Sequence, residues 1–155
     1  MKTMSKNHKN VRRGFTIFEL LVVVGIVGIL ATMIGPATSR IVRHQRANRA
    51  AMVIAADLQN AFAAAARQRE PVRIQADSGS RSYQFIDRKS GNILRIRTFY
   101  GDTSEYRLTK LVFTPTTIDV FPSGISSSAV TINLANGDYA KTITASTAGF
   151  IRVSH

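Results

Sequence analysis

The pattern of apolar and polar residues changes twice along the chain. Residues 15–34 form an almost continuous apolar run that contains a single charge, Glu19. A run of this length spans about 30 Å as a helix, which matches the thickness of the hydrocarbon core of a bilayer. The first part of the chain therefore predicts a transmembrane helix over residues 15–34.

A second helical pattern follows. Proline lacks a backbone donor and clashes with the preceding turn, so Gly35-Pro36 predicts a kink at Pro36. Apolar residues then recur every three or four positions, in a stripe made of Ile54, Leu58, Ala61, Phe62 and Ala65. Glu70-Pro71 predicts the end of the helix, because a residue before proline avoids helical dihedral angles. Residues 35–70 are therefore expected to continue the helix beyond the membrane.

After Pro71 the apolar period changes to two, which is typical of β-strands. Turns rich in Gly, Asn, Asp and Ser separate the segments. The predicted strands are 72–75, 83–86, 93–98, 106–108, 110–113, 117–121, 129–134, 140–144 and 149–153. Residues 71–155 are thus a predicted β-rich domain. The expected fold class is α+β, with a long N-terminal helix packed on an antiparallel, sandwich-like β-sheet domain.

Composition excludes several kinds of site. The 155 residues contain no cysteine, which rules out disulfides, Cys-ligated zinc and thiol nucleophiles. His8, His44 and His155 show no metal-ligand spacing. The chain also lacks a Gly-rich phosphate loop and a Ser-His-Asp pattern in a recognisable context. We therefore expect no metal, no cofactor and no enzymatic activity.

The formal net charge of +12 is unevenly divided. Residues 1–14 contain five basic residues and no acid, and residues 15–155 contain 16 basic and 9 acidic residues, a net charge of +7. A basic surface favours nucleic acid or an anionic lipid surface as a partner. General solubility is the competing explanation.

The start of the apolar run has three interpretations. A secretory signal would have a shorter apolar core and a small-residue cleavage site after it. An ordinary membrane anchor explains neither the Gly14-Phe15 junction nor Glu19. Cleavage between Gly14 and Phe15 would keep the helix on the mature chain and create a new α-amine, which is mostly cationic near neutral pH. Because that amine would neutralise Glu19 of a neighbouring subunit, we favour cleavage.

The motif Gly14-Phe15-Thr16-x-x-Glu19, preceded by Arg12-Arg13 and followed by an apolar helix, resembles the class III signal of type IV prepilins and type II secretion pseudopilins. The resemblance implies that a prepilin peptidase cuts after Gly14 and methylates Phe15. It also implies that Glu19 contacts neighbouring subunits and that Pro36 is the family proline that kinks the helix. The expected location is the inner membrane, crossed once, with the C-terminal domain in the periplasm until assembly into a filament with other pilins or pseudopilins.

The second half of the chain resembles the end of the GspH/FimT domain. The resemblance lies in the phrases Phe121-Pro122-Ser123-Gly124, Val130-Thr131-Ile132-Asn133-Leu134, Asn136-Gly137 and Gly149-Phe150-Ile151-Arg152-Val153. It implies a pilin-like fold and a minor pseudopilin of the type II secretion pseudopilus, involved in protein secretion. One alternative is a FimT-like minor type IV pilin for pilus biogenesis or DNA uptake. Another is a membrane-anchored binding protein that never polymerises.

Two basic groups are candidate contact sites. Arg40, Arg43, Arg46 and Arg49 spread over about half the helix circumference, which is typical of a solvated face that reaches toward lipid headgroups. A filament contact with acidic neighbours is the next interpretation, and nucleic acid the last. The candidates for contact with DNA or an anionic surface are Arg81, Arg88, Lys89, Arg95, Arg97 and Arg152. Arg95 and Arg97 alternate with Leu94 and Ile96, so they are predicted to share a solvent face.

Overall fold

The computed structural model describes residues 14–101 and 104–154, with only the backbone described for residues 33–37. One helix, α1 (Ile17–Gln68), precedes eight strands. The strands are β1 (Val72–Asp77), β2 (Ser82–Asp87), β3 (Ile93–Thr98), β4 (Lys110–Thr114), β5 (Thr117–Val120), β6 (Val130–Asn136), β7 (Tyr139–Ala145) and β8 (Ile151–Ser154). The chain divides into two compact units at the Thr38–Ser39 boundary.

The predicted transmembrane span, residues 15–34, is described with side chains only as far as residue 32. The side chains of Met33 and Ile34, its last two residues, and of Pro36, the predicted kink, are not described. Of the predicted prepilin leader, residues 1–14, positions 1–13 lie outside the described residues altogether. Within the residues whose side chains the structure describes, no stretch of helix is both long enough and apolar enough to cross a membrane.

The C-terminal end of α1 has a local cause. The helix ends at Gln68, and Arg69 adopts a left-handed conformation with φ of 55°. A left-handed residue at this position is a common way for a helix to stop. Pro71 follows and cannot continue the helix.

The strands form two four-stranded antiparallel sheets. The strand order is β3-β2-β1-β5 in the first sheet and β4-β6-β7-β8 in the second. The predicted fold class, a helix on antiparallel sheets, is confirmed. The predicted strand at 106–108 is wrong: these residues form a loop in which Arg107 has φ of 45°. A left-handed residue breaks the extended backbone that a strand requires.

One hydrophobic core joins α1 and both sheets. The predicted helix stripe is buried except for Phe62, which is half-buried and lies against Gly149. Small side chains let the sheets approach the helix closely, and α1 contributes Ala47, Ala50, Ala51, Ala61 and Ala65 to the core. In β6 every second residue is buried, from Val130 to Asn136.

An ionisable side chain, Asp57, is also buried in this core, with only 2% of its surface exposed. Tyr83 Oη donates to Asp57 Oδ2 at 2.7 Å, and Arg95 Nη1 donates to Asp57 Oδ1 at 2.7 Å. Arg97 donates from Nε to Oδ2 at 2.5 Å and from Nη2 to Oδ1 at 3.2 Å. Burying a carboxylate is costly unless it is paired and hydrogen-bonded. These contacts attach α1 to β2 and β3.

The prediction for the two faces of β3 is therefore correct only in part. Arg95 and Arg97 share one face and keep 45% and 29% of their side-chain surface exposed, but their guanidinium groups bind Asp57. Leu94 and Ile96 lie on the opposite face and are 41% and 59% exposed. The buried carboxylate on α1 reverses the usual preference, because leaving it unpaired costs more than exposing two aliphatic side chains.

We predict that Asp57→Asn destabilises the domain because it removes the charge that two arginines face. The expected loss is about 2–3 kcal/mol, less than for a fully buried pair, because both arginines keep part of their contact with water. Urea unfolding of the full-length protein in detergent measures it. Asp138→Asn, at an exposed carboxylate, is the matched control, and equal stability of the two variants would contradict the role given to Asp57.

Candidate assembly surface and basic site

The N-terminus of α1 is capped by a side chain that the sequence prediction overlooked. Thr16 Oγ1 accepts a hydrogen bond from the backbone N–H of Glu19 at 3.2 Å, and the Thr16 carbonyl accepts one from Leu20 at 3.1 Å. Thr-x-x-Glu is the spacing of a capping box, in which the threonine satisfies an otherwise unpaired helix donor. The cap places Glu19 in the first turn of α1. A carboxylate there is favoured by the positive end of the helix dipole.

The predicted cleavage bond lies outside the helix. Gly14 and Phe15 precede the first helical residue, and both are exposed. An exposed, non-helical peptide bond is accessible to a peptidase, whereas a bond within the helix would require local unwinding. Cleavage after Gly14 and methylation of Phe15 stay predictions. Arg12 and Arg13 lie outside the described residues, and the kink predicted at Pro36 stays a prediction because only its backbone is described.

Apart from Glu19, the first helical turns carry apolar side chains around the whole circumference. Twelve large apolar side chains between Phe15 and Leu30 are exposed, with exposed fractions from 46% to 85%. A helix that is apolar around its whole circumference is stable only when a membrane or other helices cover it. So large an exposed apolar surface is typical of an interaction site. We refer to residues 15–30 as the apolar helix surface.

The cations predicted to contact DNA do not form a single site. Arg88 pairs with Asp119 at 3.1 Å, and Lys89 pairs with Glu70 at 2.6 Å. Arg95 and Arg97 pair with Asp57. Most of the positive charge in this group is therefore neutralised within the domain.

The two remaining candidates lie elsewhere. Arg81 precedes β2 and Arg88 follows it, so the two are about 23 Å apart along an extended strand. Arg81 donates to the Leu108 carbonyl at 3.2 Å, and its guanidinium lies 4.4 Å from the centroid of the Tyr100 ring. That face of Tyr100 is therefore not open for stacking against a base. Arg152 is exposed on β8, in the other sheet.

On the edge strand β5 of the first sheet, Asp119 binds two arginines. Arg73 donates to both Asp119 carboxylate oxygens, at 2.8 and 3.1 Å, and Arg88 donates a third hydrogen bond. The hydrogen bond from Arg73 is the main reason that the pKa of Asp119 lies below its usual value. Sequence reasoning missed Arg73 and Asp119, because their contact depends on the pairing of β1 with the distant β5.

The hydrogen bonds around the buried Asp57 also shift the pKa values of its partners. The hydrogen bond to Asp57 raises the pKa of Arg97. Burial, together with the hydrogen bond to Asp57, raises the pKa of Tyr83, so this hydroxyl stays protonated. In the described part of the chain, no group of three or more His, Cys, Asp or Glu side chains is arranged to hold a metal ion. These clusters hold the fold together.

Two protein families match the sequence. The prokaryotic N-terminal methylation motif covers residues 9–35. The model of the type II transport protein GspH covers residues 50–149, more than half of the chain. The chain belongs to the GspH family. Together, the motif and the domain place it among the pilin-like proteins. No curated protein matches the sequence.

Solved structures share the fold at low sequence identity. The type IV minor pilin FimU of Pseudomonas aeruginosa is 21% identical in one crystal form, with a TM-score of 0.58, 72% of this chain covered and 90% of FimU covered. The minor pseudopilin EpsH of the Vibrio cholerae type 2 secretion system is 17% identical, with a TM-score of 0.51 and coverages of 70% and 96%. At these identities the similarity concerns the fold.

The stability of the GspH-family domain should fall in acid, partly through Asp119. Because its pKa is lowered in the folded state, its ionisation stabilises the fold above the unfolded pKa of about 3.9, and this contribution is lost as pH falls through the folded value. Asp119→Asn should lower the midpoint of urea unfolding at pH 7 and flatten its dependence on pH below about 4. Identical pH profiles for Asp119→Asn and wild type would contradict this role.

Proposed function

We propose that this protein is a minor pseudopilin of a type II secretion system, a structural subunit that acts by assembly rather than catalysis. In this proposal a prepilin peptidase cleaves the precursor after Gly14 and methylates Phe15, and the mature chain joins a filament through α1. The observation that carries it is the exposed apolar helix surface, which begins at Phe15, the proposed mature N-terminus, and lies within the matched methylation motif. The GspH domain supports the choice of a type II system.

The assembly step follows from charge and hydrophobicity. Packing apolar helices together removes their side chains from lipid or water, but it also brings Glu19 into an apolar environment. An unpaired carboxylate costs about 2.5–3.5 kcal/mol at the centre of a membrane, and less near the start of the helix. The α-amine of Phe15 on a neighbouring subunit offsets this cost. The pair therefore fixes the stagger between neighbours.

Before assembly the protein is proposed to cross the inner membrane once, with residues 15–34 as the span and the β-rich domain in the periplasm. The basic leader and Arg12-Arg13 would stay on the cytoplasmic side. The proposed partners are the prepilin peptidase, inner-membrane lipid and the other pseudopilins.

Two other functions compete with this one. A FimT-like minor type IV pilin, for pilus biogenesis or DNA uptake, is supported by the structural similarity to FimU. The DNA-binding version is weakened because most of its candidate cations are paired within the domain. A salt titration of DNA binding by the full-length protein separates DNA uptake from secretion, since phosphate contacts weaken steeply with salt. A membrane-anchored protein that never polymerises would leave the apolar helix surface covered by lipid alone.

We predict that Glu19→Val is processed normally but excluded from the filament. Without the carboxylate, the Phe15 amine of a neighbour has no partner, and co-isolation with other pilin-like subunits should fall roughly tenfold, which corresponds to about 1.4 kcal/mol. Intact-mass analysis should still find Phe15 as the mature N-terminus.

Glu70→Val is the matched control, because it removes a carboxylate that pairs with Lys89 at the surface of the domain. This control should co-isolate like wild type. Normal co-isolation of Glu19→Val would contradict the proposed role of Glu19.

A further inference from the structure

Arginines are clustered on one segment of α1, at positions 40, 43, 46 and 49. Elsewhere in the domain, five cations form ion pairs with Asp57, Glu70 or Asp119: Arg73, Arg88, Lys89, Arg95 and Arg97. The arginines at positions 40, 43, 46 and 49 form no ion pair with any residue that the structure describes. The sequence has no acidic residue between Glu19 and Asp57 that could neutralise them within the helix.

Two of these arginines line a groove of about 410 Å³ between α1 and the loop at residues 104–107. Arg46 and Arg49 project from the helix, and Arg107 comes from the loop. Glu105 is the only carboxylate among the described residues that line it. We call this site the arginine groove. Because Arg46 and Arg49 form no ion pair with a described residue, the helix side of the groove is positively charged.

The loop side of the arginine groove is held in place by the core. The Tyr106 ring packs on buried Phe99 with 5.1 Å between centroids, and Asn136 Nδ2 donates to the Tyr106 carbonyl at 2.9 Å. Leu108, two residues after Tyr106, is buried. Burial and, after it, a hydrogen bond with Glu105 raise the pKa of Tyr106. The groove is therefore formed before a ligand arrives.

The chemistry and shape of the site favour carboxylates of another protein. Guanidinium groups bind carboxylates through paired, charge-assisted hydrogen bonds. A concave site of this volume accepts a few side chains, whereas a nucleic acid is bound along an extended run of cations that follows its backbone. The groove therefore suits an acidic segment of a protein better than DNA.

A second copy of this chain has few carboxylates to offer. Asp57 is buried, Asp119 and Glu70 carry ion pairs, and Asp77 and Asp87 accept hydrogen bonds within their own turns. The mature chain also carries a net charge of +7, so two copies repel each other. The complementary partner is a different and more acidic protein.

We propose that the arginine groove docks a segment rich in Asp and Glu on a different pilin-like subunit of the same filament. This inference rests on the proposed function, since it assumes that the chain is a filament subunit. It adds the surface that selects the neighbour and the chemical character of that neighbour. Charge pairs at the rim of an interface mainly determine the choice of partner and the rate of association.

The test uses the full-length protein in its native membranes, with a photo-cross-linking amino acid in place of Gln45, which also lines the groove. Mass spectrometry of the adduct identifies the partner and the attached peptide. We expect a different pilin-like subunit, attached through a segment that contains several Asp or Glu residues. Arg46→Glu with Arg49→Glu should lower the yield roughly tenfold, and replacing the partner's carboxylates with lysine should restore it.

The matched control is Lys110→Glu with Arg152→Glu, which makes the same change in net charge at two exposed cations of the second sheet. It should leave the yield unchanged. Arg46→Gln with Arg49→Gln should lower the yield less than the charge reversal does. Because the glutamine variant introduces no new charge, it is expected to disturb the fold less than the charge reversal. Circular dichroism of each variant checks that it is folded.

Several results would overturn the inference. These are an unchanged yield after charge reversal, an adduct with a second copy of the chain, or an adduct with a peptide that lacks acidic residues. It also fails if charge reversal weakens binding to duplex DNA or to phosphatidylglycerol vesicles but leaves the subunit adduct intact. Normal co-isolation with pilin-like subunits alongside any of these results refutes the groove alone. Absence of co-isolation in wild type refutes the proposed function and the inference with it.

Discussion

The domain depends on a buried carboxylate, Asp57, that sits inside the apolar stripe of the helix. Once this charge is in the core, the nearest strands have to supply donors, and Tyr83, Arg95 and Arg97 do so. That requirement determines which face of β3 is directed toward α1. It also fixes the position of the first sheet on the helix. Removing one partner from a buried ion pair costs more than removing one from an exposed pair, because it leaves the other charge buried and unpaired.

The presence or absence of ion pairs distinguishes surfaces that stabilise the fold from surfaces that are available for interaction. Asp57 and Asp119 each bind two arginines, and these contacts absorb most cations of the first sheet. The helix arginines have no such partners among the described residues. The apolar helix surface is likewise exposed without a partner. Both features lie on α1, so the helix presents an apolar segment and a cationic segment.

Much of the fold could be predicted because its signals are local. The change of period after Pro71, the turn residues and the alternation in β6 depend on neighbours in the sequence. The orientation of β3 does not, because its alternation of apolar and basic residues fits either face. One local signal was available: Asp57 follows Ile54 by three residues and precedes Ala61 by four, so it falls on the predicted buried stripe. The contact of Arg73 with Asp119 could not be predicted, because it requires the pairing of β1 with β5.

The central claim is that neighbouring subunits cover the apolar helix surface. A photo-cross-linking amino acid in place of Val24, in the full-length protein and its native membranes, tests this directly. We expect adducts with other pilin-like subunits, attached through their own N-terminal apolar segments. Adducts with lipid alone, formed by a chain that is fully processed to Phe15, would contradict it.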